Sequence, residues 1–73
     1  MYQPQQMPAG QQSMIQSAQQ NYLQHAALAD HYERQRMINA SNSVAYYRYA
    51  ELQYFHKSRA YFFKGQFSAT NGL

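Results

Sequence analysis

Residues 13–64 contain neither glycine nor proline. Nothing else in the chain constrains its fold as strongly. The run is rich in Ala, Gln, Leu, Met, Glu and Arg, residues that lose little freedom in a helix, and it lacks both helix breakers. The spacing predicts an all-α chain.

The run opens on Ser13-Met14-Ile15-Gln16, which fits a capping box: a serine, then a glutamine three residues on. A first helix is expected over about residues 13–39. Ile15, Ala18, Tyr22, His25, Ala29 and Tyr32 recur at alternating intervals of three and four, giving one narrow stripe that Arg36 interrupts. The one weak point inside the run is residues 39–43, Asn-Ala-Ser-Asn-Ser, because Asn and Ser bond to nearby backbone and favour caps and turns. Ser41 or Ser43 would cap a second helix over about residues 43–64. Lys64 would then lie in the last turn and Gly65 at the C′ position. The chain therefore reads as a two-helix hairpin, or as one long interrupted helix, with the hairpin favoured.

The flanks differ. Residues 1–12 hold five Gln, two Pro and a Gly, with little to bury, and read as an extended arm. Residues 65–73 read as a C-terminal tail, with Asn71-Gly72 a turn signal. A chain of 73 residues gains only a few kcal/mol from one core, and without cysteine no disulfide supports it. An independent globular core is not expected; support from other chains is.

The aromatic residues concentrate in the second helix: Tyr46, Tyr47, Tyr49, Tyr54, Phe55, Tyr61, Phe62 and Phe63, with Leu52 among them. At about 100° per residue they occupy nearly every direction, and a helix apolar all round needs neighbours on several sides. Tyr47, Tyr54 and Tyr61 form one row; Val44, Phe55 and Phe62 form another. The chain's positive charge sits in the same half, on Arg48, Lys57, Arg59 and Lys64 against Glu51, while residues 1–29 carry no charged side chain. Tyrosine suits interfaces because its ring buries area while its hydroxyl finds a polar partner. The nine aromatic-helix residues, Leu52 included, are thus the expected partner interface, and the four cations the expected charge contacts.

Several classes of function fit poorly. His25 and His31 are six residues apart, about 120° from facing each other on a helix, and helical metal pairs need spacings of three or four. His31 and Glu33 point apart, and His56 has no acid beside it in sequence. There is no Gly-rich phosphate loop and no nucleophile elbow, so no enzyme activity, metal or cofactor is expected. The first twelve residues have neither the basic nor the apolar region of a secretory signal, and no run reaches the roughly 18–20 apolar residues of a membrane span. The expectation is a small structural or accessory subunit, inside a cell or a virus particle, docked by its aromatic helix into a larger assembly of other protein chains, where many copies or a symmetric arrangement are plausible. A virion or phage-particle component is the concrete form of that expectation. The alternatives are a basic-aromatic helix contacting nucleic acid, with rings stacking on bases, and a self-associating helical bundle.

Overall fold

The computed structural model describes residues 9–70, and among them the chain is two helices and a turn. Helix α1 is Ala9–Ile38 and helix α2 is Ser43–Thr70. The long breaker-free run divides at the Asn/Ser cluster, and the two helices pack antiparallel as a hairpin. Residues 1–8 of the expected arm and the Asn71-Gly72 turn signal lie outside the described residues.

The turn occupies residues 39–42. Asn39 closes α1 twice: its backbone N–H is shared between the carbonyls of Gln35 and Arg36, at 3.1 and 3.2 Å, and its side-chain Nδ2 donates to the Gln35 carbonyl at 2.8 Å. Asn42 then caps α2. Its Oδ1 accepts the Ala45 N–H at 3.1 Å, and its carbonyl accepts the Tyr46 N–H at 2.8 Å. The cap is therefore Asn42, between the two serines expected for the role. Its amide oxygen reaches the third helical N–H, one of the donors a helix start leaves unpaired.

Both helices outrun their sequence signals. α1 starts four residues before the Ser13 box, so residues 9–12 are helical. α2 passes through Gly65 and continues to Thr70, so Gly65 is not a C′ residue and Lys64 is not in the last turn. The physical reason lies beyond the glycine. Phe67 meets Tyr22 of α1 edge-on at 5.7 Å, and Ser68 is half-buried. That packing offsets the roughly 1 kcal/mol that glycine costs inside a helix.

The interface between the helices is built from rings and alanines. On α1 the stripe Ile15, Ala18, Tyr22, His25, Ala29 and Tyr32 faces the partner helix, with Ala18 and Ala29 buried. Arg36 continues this stripe, contrary to the sequence expectation. It is half-buried, its Nη1 donates to the Tyr46 hydroxyl at 3.0 Å, and its guanidinium lies 5.4 Å from the Tyr46 ring centre. A long side chain with an apolar stem can occupy a seam position when its head finds a partner. On α2 the matching stripe is Tyr46, Tyr49, Gln53, His56, Ala60, Phe63 and Phe67, again at intervals of three and four, as knobs-into-holes packing requires. Gln53 and Ala60 are the buried members.

One flank of this seam is a continuous ladder of rings contributed by the helices in turn. Tyr49 stacks on Tyr32 at 6.0 Å and Tyr32 on His56 at 5.7 Å. His56 stacks on His25 at 5.1 Å, and His25 on Phe63 at 5.7 Å. The opposite flank is a groove of about 150 Å³ lined by Tyr22, Asp30, Glu33, Gln53, Lys57 and Tyr61, among others.

Candidate docking face

Packing against α1 sorts the aromatic residues of α2 into two sets. Tyr46, Tyr49, Leu52 and Phe63 are half-buried on the hairpin side. Of the nine residues expected at a partner interface, these four already serve the chain's own packing. The other five, Tyr47, Tyr54, Phe55, Tyr61 and Phe62, remain exposed at 66, 56, 57, 61 and 52%. Val44, near the start of the helix, is exposed at 79%.

These six residues share the side of α2 that points away from α1. The tyrosine row and the Val44-Phe55-Phe62 row lie side by side, with Glu51 and Ser58 between them. The outward aromatics thus gather into one broad strip instead of facing every direction, because the inward-facing rings are used up in the seam. Arg48 and Arg59 border the phenylalanine row; Lys57 and Lys64 border the tyrosine row. All four cations are exposed. Arg59 lies over two rings, 5.0 Å from the Phe62 centre and 5.3 Å from that of Phe63, so the basic border covers part of the aromatic strip. At the turn end, Val44, Tyr47, Arg48 and Glu51 surround an open surface depression.

The outward side of α1 is different in kind. Gln16, Gln20, Gln24, Ala27, His31 and Arg34 lie there and are exposed. Leu23 is the one large apolar residue among them, until Met37 and Ile38 at the turn end. The hairpin therefore has a polar back on α1 and an aromatic front on α2. The charge is unequal too: α2 carries Arg48, Lys57, Arg59 and Lys64 against Glu51, whereas on α1 Asp30 and Glu33 are balanced by Arg34 and Arg36.

Two of the histidines, His25 and His56, are brought together by tertiary structure alone. His25 and His56 bring their Nδ1 atoms within 2.8 Å across the seam, a pairing of residues on different helices that spacing along one helix does not reveal. His31 lies edge-on to Tyr32 at 5.1 Å. Burial in the seam, and then the neighbouring His25, push the His56 imidazole below its ordinary value of 6.5. Among the described residues no group of three or more His, Asp or Glu side chains is arranged to share a metal ion. No helix among them is long and apolar enough to cross a membrane. No protein family matches the chain, and comparison with curated proteins and with solved structures finds no match.

Proposed function

We propose that this chain is a small non-enzymatic accessory subunit whose α2 face docks onto another protein in a larger assembly. The observation that carries the reading is the outward strip of Val44, Tyr47, Tyr54, Phe55, Tyr61 and Phe62, each more than half exposed. Large apolar side chains gathered on one face of a short chain mark an interaction site. Aromatic residues flanked by arginine are what protein interfaces favour. The partner this face fits is an apolar groove with acidic borders, because the strip has cations along both edges and one carboxylate, Glu51, within it. Two copies of the chain meeting face to face would instead bring basic borders together. A virus or phage particle is the setting we favour, by analogy of design only, since short cysteine-free chains serve there as minor parts.

Sedimentation of the purified chain is the first test. A monomer agrees with docking on a different partner, whereas a discrete oligomer with a cooperative melt would replace this reading with a self-associating bundle. The second test is retention of the chain in its native complex after the substitutions Tyr47→Ser, Tyr54→Ser and Tyr61→Ser, made together. Retention should be lost while the helicity of the free chain is kept. Retention unchanged by the triple substitution would refute the docking face. A nucleic-acid partner would be revealed by release on nuclease treatment and by steep salt dependence. With four cations available on this face, the slope of log affinity against log salt for a single strand would reach about −3.

A further inference from the structure

We infer that the His25–His56 pair is an acid-sensitive latch holding the two helices of the hairpin together. The pair lies in the seam between the helices, away from the outward strip of α2. The two Nδ1 atoms are 2.8 Å apart, a hydrogen-bond distance. In the neutral pair one imidazole donates its Nδ1–H and the other accepts with its bare Nδ1. A first added proton on the donor ring leaves that bond in place and makes it charge-assisted. A second proton makes both Nδ1 atoms donors. Neither can then accept, and two cations face each other with ring centres 5.1 Å apart. The pair must separate, and with it the middle rungs of the ladder.

Rings, not carboxylates, stack against the pair, so a second positive charge finds no counter-charge there among the described residues. From α1, Tyr32 faces His56, with His31 edge-on behind it. From α2, Phe63 faces His25, and Tyr49 stacks on Tyr32. Arg59 lies over Phe63 and Arg36 over Tyr46 in the same seam, and both have the wrong sign. The carboxylates Asp30 and Glu33 line the groove on the opposite flank, together with Lys57. The pair is not arranged to hold a metal: two Zn–N bonds at a tetrahedral angle would keep the nitrogens roughly 3.3 Å apart and would require further ligands, and among the described residues no third metal-binding side chain joins them.

The direction of the pH effect follows. His56 takes its proton less readily in the folded hairpin than its ordinary value of 6.5 implies. Its contribution to stability is therefore complete above about 6.5 and is lost as pH falls from there toward the lower folded value. Within that window the folding constant drops about tenfold per pH unit for one such proton. Opening exposes Tyr32, Tyr49 and Phe63, which the closed hairpin half-buries.

The test uses the full chain in two ways. Thermal melts from about pH 7.5 to about pH 5 should show falling stability for the native sequence, and a flattened profile when His25→Phe and His56→Phe keep rings but remove the titrating groups. Ring-nitrogen NMR should show His56 taking its proton at lower pH in buffer than in denaturing urea. A native profile that is flat across the window, or a His56 titration identical in buffer and urea, overturns the latch. If the double variant does not fold, the native titration decides alone. A chain unfolded in buffer would give identical titrations and count against the proposal.

Discussion

Replacing Gly65 by alanine separates two accounts of how α2 ends, because they require opposite signs. In the structure Gly65 lies inside the helix, five residues before its end at Thr70. A Cβ built there meets nothing within 4 Å. Alanine would therefore add no clash, and it would remove the backbone freedom that glycine loses on folding. The gain for such a site is about 0.5–1 kcal/mol. For a chain of this size that corresponds to a rise in melting temperature of roughly 2–8 °C. If instead the helix stopped at residue 64 with Gly65 in the left-handed C′ conformation, alanine there would cost about 1–2 kcal/mol and the melting temperature would fall. The two outcomes differ in sign and by about 1.5–3 kcal/mol, beyond the error of a melt followed by circular dichroism. A lower melting temperature for Gly65→Ala would refute the continuation of α2 to Thr70, and with it the docking of Phe67 on Tyr22.

Two further substitutions probe the hairpin itself. Gln53 is 5% exposed and its Oε1 is buried without a hydrogen-bond partner, so Gln53→Leu should raise the chemical-denaturation midpoint by an amount equivalent to about 1 kcal/mol; a loss would show that the amide is satisfied in solution. Asn42→Ala removes the bond from Oδ1 to the Ala45 N–H and should cost about 1 kcal/mol by the same measurement, while Ser41→Ala and Ser43→Ala should change stability by less than about 0.5 kcal/mol.

The α1 seam was legible in the sequence because its residues contrast with their neighbours. Ile15, Ala18, Tyr22, His25, Ala29 and Tyr32 alternate with glutamines and charges at a regular interval. Arg36 does not stand out as a seam residue because a charged head hides an apolar stem. The α2 seam was hidden for the opposite reason. Aromatic residues occupy its outward side as well, while the positions that reach deepest are Gln53 and Ala60, which do not stand out as apolar. Pattern alone could not say which rings point inward. The histidine pair was invisible for a third reason: its members are 31 residues apart, and only the register of the hairpin joins them. That register was implicit in the turn. Reflecting the chain about the Ala40–Ser41 bond carries His25 onto His56 and Tyr32 onto Tyr49.

The choice of seam residues also bears on why the outward strip exists. The buried hydrophobic residues described are three alanines, Ala18, Ala29 and Ala60. Alanine lets the helices approach closely but contributes little burial, whereas each fully buried large side chain contributes about 1.5–3 kcal/mol. A chain with this composition had the means to build a heavier core, since Met14, Leu23, Leu28, Met37 and Ile38 of α1 and six large apolar residues of α2 are exposed. Placing them in the seam would have stabilised the hairpin alone. Placing the six α2 residues together on one side does something a core cannot, which is to leave apolar area available for burial against another surface. The polar back on α1 fits the same division, because a subunit held by α2 presents α1 to water. On this argument the hairpin is stabilised in part by what covers α2, and substitutions in the strip should weaken the assembled chain far more than the free one.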